Sequence, residues 1–177
     1  MQLAELNIAL LRAPIDDPMI AEFANALDEI NALAEASPGF VWRLTGEGND
    51  ATSFRPFPDP EMIVNLSVWI DRPSLHEYVY KTAHTPYLRK RAEWFHRIEV
   101  PSVVLWWIDD GAEPTIEKAK ERHEYFHAHG STAYAFGWRD ECKPEVLLAA
   151  PSPGTIAVPK TPAPTAVSNP ATTGAAL

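Results

Sequence analysis

The chain has 177 residues, 46% apolar and 10% aromatic, which suits one buried core and is short for two full domains. Acidic residues outnumber basic ones 24 to 15, and the resulting charge of -9 speaks against partners built on phosphate backbones, so no nucleic-acid role is expected. A single cysteine, Cys142, excludes an internal disulfide and a cysteine-rich metal framework. With no apolar run of ~18 residues and no basic n-region in Met1–Glu5, the expectation is a soluble cytoplasmic protein with no membrane partner.

Residues Leu3 to Leu11 alternate: Leu6, Ile8 and Leu10 lie on one side, Glu5, Asn7 and Ala9 on the other, the period of a strand. Asp17-Pro18 reads as a helix cap followed by proline at the first helical position. Ile20, Phe23, Ala24, Leu27, Ile30 and Ala34 then recur at helical spacing until Ser37-Pro38-Gly39 stops the helix. Phe40 to Thr45 reads as a second strand, and Gly46 to Pro60, rich in Gly, Asn, Asp and Pro, as a loop with the makings of a lid. In a third strand, Met62 to Ile70, the residues Met62, Val64, Leu66, Val68 and Ile70 oppose Ile63, Asn65, Ser67 and Trp69.

Ser74-Leu75-His76-Glu77 has the form of a capping box opening a short helix. Thr85-Pro86 restarts a helical run to about Arg97, and Pro101 precedes a strand from Ser102 to Asp109. Pro114 opens a helix to about His129, and Ser131 to Gly137 reads as a last strand. This order predicts an α+β fold of the ferredoxin-like split βαβ kind, an antiparallel sheet with helices on one face. Yet Val103, Leu105 and Trp107 oppose Val104, Trp106 and Ile108, so both faces of the sheet ask to be buried. A second layer is needed, most simply the sheet of a second copy, and a homodimer is expected. The folded unit spans residues 1–142. From Lys143 to Leu177, seven of the 17 prolines fall among Ala, Thr and Ser, the composition of a flexible tail.

Few residues bear chemistry on their own account. Arg89-Lys90-Arg91 with Arg97 forms a basic cluster in an acidic chain; Arg91 is the member spaced to face inward and anchor an anionic ligand group. His123, His127 and His129 share a helix, but His123 falls in an apolar stripe with Ile116, Ala119 and Phe126 and reads as interior, so no metal site is expected. Gly46-Glu47-Gly48 lacks the third glycine and the following helix of a phosphate loop, and no nucleophile elbow occurs.

Asn65-Leu66-Ser67-Val68-Trp69, Ser74-Leu75 and the turn His84-Thr85-Pro86-Tyr87 resemble the dimeric α+β-barrel superfamily of antibiotic biosynthesis monooxygenases. Arg89 to Phe95, the Trp106-Trp107 pair and Gly111-Ala112-Glu113-Pro114-Thr115 resemble one uncharacterised family within it, over residues 2–138. Members of the superfamily oxygenate quinols, cleave haem, cyclise polyketides or degrade small aromatics. The resemblance implies a pocket in which Asn7, Trp69 and His84 are catalytic. Asn7 would offer donor and acceptor to a substrate oxygen, Trp69 a flat wall, and His84 a proton carrier. Tyr78, Tyr87 and Trp94 would stack on a flat substrate, with Arg91 as anchor. Each has a structural reading too: Asn7 as a register residue, Trp69 as core, His84 as the break between two helices. The function implied is a cofactor-independent monooxygenase acting on a flat aromatic or quinol-like small molecule. The alternatives are a haem-binding or haem-degrading monooxygenase with His84 as ligand, or a non-catalytic dimer that binds a small ligand.

Overall fold

Alternating strands and amphipathic helices assemble into a layered domain in the structure, a computed structural model that describes residues 1–81, 84–140 and 142, with backbone alone at 84–86 and 88. The elements run β1 (Gln2–Leu11), α1 (Ala21–Glu35), β2 (Phe40–Arg43), β3 (Met62–Trp69), α2 (Arg72–Lys81), α3 (His84–Trp94), β4 (Phe95–His96), β5 (Val103–Ile108) and α4 (Ile116–His129). All strand pairs are antiparallel. β3 lies between β2 and β1, and both β4 and β5 line the far edge of β1, giving the split βαβ order expected. The tail expected over residues 143–177 lies outside the described residues.

Because β1 and β3 pair with Leu6 opposite Leu66, residues of like parity share a face. The odd-numbered face packs against α1, α2 and α3: Leu3, Trp69 and Leu105 meet Ala34, Leu75 and Tyr78, while Leu11 and Ile63 meet Ile20 and Trp94. The even-numbered face carries Ala4, Leu6, Ile8, Val64, Leu66, Val68, Val104 and Trp106, all buried. Their cover is Ile116, Ala119, Tyr125 and Phe126 of α4, together with Ala51, Phe54 and Phe57 of the 46–60 loop. The second layer demanded by two-sided burial thus comes from the chain itself. Helices lie on one face only within the split βαβ unit, since α4 takes the other. The 46–60 loop packs through Ala51, Phe54 and Phe57 beneath the even face.

Several boundaries differ from expectation. Asp17 caps a turn, accepting from Met19 N at 2.8 Å, and α1 begins four residues later. Asp71, not Ser74, caps α2: its Oδ1 accepts from Ser74 N at 2.8 Å. The helix expected to reach Arg97 ends at Trp94, where Phe95 and His96 pair with β1. The last strand is absent. Ser131 Oγ bonds to the Asp140 carboxylate and Thr132 N to Ala135 O, coiling the segment so that only Phe136 reaches the sheet, as a bridge to Leu105.

Candidate functional site

On β1 and β3, four polar side chains interrupt the odd-numbered face: Glu5 and Asn7 on β1, Asn65 and Ser67 on β3. The register sets Glu5 opposite Ser67 and Asn7 opposite Asn65, so they form two adjacent rungs roughly 7 Å apart along the strands. This polar strip divides the Trp69–Tyr78–Leu105 cluster from the Trp94–Ile63–Leu11 cluster. The first rung is sealed, with Glu5 8% and Ser67 6% exposed. The second opens: Asn7 is half-buried and Asn65 is exposed to solvent. Phe23, Leu27 and Ile30 of α1 share the helical face of the buried Ala34 but are only half-buried, so α1 bridges the two clusters without closing the strip.

The sealed rung is a hydrogen-bonded chain. Trp69 Nε1 donates to Ser67 Oγ at 3.0 Å, and Ser67 Oγ donates to Glu5 Oε2 at 3.0 Å. Burial removes the water that would stabilise the Glu5 charge and pushes its carboxyl up to about 7, against the opposing pull of the Ser67 bond. A carboxyl so placed exchanges a proton near neutrality. The Tyr78 ring stacks on Trp69 with centroids 5.0 Å apart, and its hydroxyl donates to Ile30 O at 3.4 Å. Burial first and the Glu5 charge second raise the Tyr78 phenol, opposed by Arg43, so Tyr78 remains protonated. Arg43, next to Ser67 on β2, is itself held by Glu35 at 2.8 Å and by Asn49.

The sequence-predicted residues fall in three places. Asn7 lies on the open rung. Trp69 and Tyr78 form one wall, with Trp69 1% exposed and turned edge-on to Phe40. Tyr87 and Trp94 belong to the second cluster, their centroids 6.5 Å apart, with the Tyr87 hydroxyl reaching Glu29 at 3.5 Å. Arg91 lies exposed on α3. His84 is the first residue of α3, and its side chain lies outside the described residues. Asn7, Trp69 and Tyr78 therefore share the odd face. Glu5, Asn65 and Ser67 were missed as site residues. Their signal is parity: with Leu6 paired to Leu66, the polar positions of both strands fall on one side.

Away from this strip, His123 is buried as expected, its Nε2 2.7 Å from Pro101 O and its ring edge-on to Phe57. Burial lowers its pKa and keeps it neutral. A cavity of about 480 Å³ opens between Phe54–Pro56 and the Glu117–Glu124 flank of α4, and shares no residue with the polar strip.

A family model described as a domain of unknown function, DUF3291, matches residues 2–150. No curated protein matches. Among solved structures, the chain is similar to Rv0793 from Mycobacterium tuberculosis at 18% identity and a TM-score of 0.46, covering 64% of this chain and 100% of that one. It is also similar to SnoaB, a cofactor-independent oxygenase from Streptomyces nogalater, at 16% identity and 0.44, covering 65% and 96%. PA3566 from Pseudomonas aeruginosa follows at 14% and 0.42, covering 63% and 95%.

Proposed function

The chain belongs to the DUF3291 family, and we propose that it is an enzyme of the cofactor-independent monooxygenase type whose substrate is a small, flat, aromatic or quinol-like molecule. The observation that carries this reading is the polar strip, open at Asn65, between two aromatic clusters on the face beneath α1–α3. A flat molecule inserted over Asn7 and Asn65 would have its ring against apolar side chains and its oxygen within reach of two carboxamides, each both donor and acceptor. Trp69 and Tyr78 form the wall behind it, Tyr87 and Trp94 the facing one, with His84 a proton carrier and Arg91 an anchor at the α3 side.

Such a substrate carries its own reductant. Loss of a proton from an activated ring CH₂ leaves a delocalised carbanion, which gives one electron to O₂. The resulting radical pair combines into a peroxide, and loss of water leaves a ketone, so that CH₂ and O₂ become C=O and H₂O. Asn7 and Asn65 assist by hydrogen-bonding the ring oxygen on which the negative charge accumulates, an interaction stronger in the transition state than in the ground state.

The test uses 9-anthrone, a flat ketone with an activated CH₂. The full chain is expected to consume O₂ and release anthraquinone. Asn7→Ala and Asn65→Ala should each lower kcat/KM about 100- to 1,000-fold, the usual cost of one donor at a developing oxyanion. No oxygen uptake, or uptake indifferent to both substitutions, overturns the reading.

A further inference from the structure

The two carboxamides can hold a charge but cannot remove a proton, and the reaction begins with a proton. Among the described residues of the strip, Glu5 is the one group able to take it. The buried carboxylate sits one rung from the open Asn7–Asn65 pair, on the same face of the same strands. Its Oε2 is fixed by Ser67, which is fixed in turn by Trp69, so the carboxyl plane is held from behind. Among the described residues no other hydrogen bond reaches Glu5, which leaves Oε1 uncommitted. That oxygen is not among the fully enclosed atoms left without a partner, so it keeps some contact with solvent.

We propose that Glu5 is the general base of this site, and that the substrate class is carbon or oxygen acids carried on a flat ring, such as enolisable aryl ketones and phenols. This rests on the reading of the strip as a substrate site. In the step, the C–H or O–H bond breaks, the proton passes to Glu5 Oε1, and the electron pair stays on the substrate as an enolate or phenolate. The proton returns to the peroxide or to water through the opening at Asn65.

The groups that face Glu5 set how this base titrates. β3 contributes the Ser67 hydroxyl, and α2 the Tyr78 phenol, which stays protonated. β2 contributes Arg43, whose charge is matched by Glu35 of α1, and β5 places the apolar Leu105 opposite. Desolvation therefore dominates and gives a carboxyl that is substantially ionised at neutral pH yet basic enough to accept a proton.

The proposal is tested by the exchange of the 9-anthrone CH₂ hydrogens for deuterium in D₂O without oxygen, followed by NMR with the full chain. Acceleration by the unaltered protein is expected, falling as pH drops below about 7. Glu5→Gln should reduce it at least about 100-fold, the scale of a lost general base. Ser67→Ala removes the bond that favours the charged carboxylate and should move the midpoint upward. Glu5→Asp, which keeps the charge but withdraws it by one methylene, should slow exchange while preserving a titration; it serves if the Gln variant fails to fold. Exchange undiminished in folded Glu5→Gln, no acceleration by the unaltered protein, or a midpoint unmoved by Ser67→Ala each overturns the assignment. Exchange without oxygen uptake removes the oxygenase reading and leaves the base in place. Oxygen uptake undiminished in Glu5→Gln does the reverse.

Discussion

A carboxyl group enclosed between a sheet and two helices changes how the whole protein responds to pH. Glu5 titrates near 7 when folded and near the ordinary 4.5 when the chain is unfolded and solvated. Between those values the folded state holds more protons than the unfolded one, so raising the pH favours unfolding. The stability linked to this proton is fully present below about 4.5 and lost as pH climbs through about 7. The shift is equivalent to about 3 kcal/mol. Glutamine stays neutral at every pH and can still accept from Ser67. Glu5→Gln should thus match the parent in urea denaturation at pH ~5 and exceed its stability by about 2–3 kcal/mol at pH ~8. A parallel decline of both proteins with pH would place the titration elsewhere. That a Glu at position 5 is buried is not legible in β1 alone, where alternation with Leu6 reads as an ordinary wet face. Only the pairing with Ser67 and the covering by α1 and α2 turn it inward. Asn7 and Trp69, by contrast, were legible by parity, since both sit on odd positions of paired strands.

The elements are held at their ends by contacts that short-range patterns show unevenly. Gly39 does more than help to stop a helix. Its φ of +84° is one that side chains resist, and a methyl there would fall into the Ser74 side chain and within 2.8 Å of Ile70 Cγ1. Its carbonyl also accepts from Ile70 N at 2.8 Å, joining the start of β2 to the end of β3. Gly39→Ala should cost about 2 kcal/mol or more, measured by chemical denaturation, because strain and overlap act together. The α4 N-terminus is milder. Thr115 Oγ1 accepts from Lys118 N at 3.3 Å, and Thr115→Ala should cost about 1 kcal/mol. Asp71 and Ser74 both suit the cap of α2, and Asp71 takes the role. Which one captures an N–H depends on where the chain leaves β3, and that is set by the sheet. The missing last strand has the same origin: alternation at Ser131–Gly137 is overridden by the Ser131–Asp140 bond, a contact nine residues long.

At the scale of the molecule, the apolar character of both sheet faces was legible in Val103–Ile108, but the identity of the second layer was not, because hydrophobic burial is non-directional. The expectation of a second copy rested on the even face lacking a cover. In the structure that face, from Ala4 to Trp106, lies under α4 and the 46–60 loop. Sheet-to-sheet pairing through these residues would require α4 to leave. A homodimer of the intact chain is therefore expected to use another surface, and backbone amide exchange at Ala4, Leu6 and Ile8 should stay slow at every protein concentration. A chain ended at Gly111 keeps the 46–60 loop but lacks α4: the apolar residues of β1, β3 and β5 beneath that helix become an exposed patch, which favours association. Light scattering should show that shortened chain as dimers or larger species at concentrations where the intact chain keeps a single, smaller mass. Faster exchange at Ala4–Ile8 on dilution of the intact chain would show instead that a partner, and not α4, protects the face.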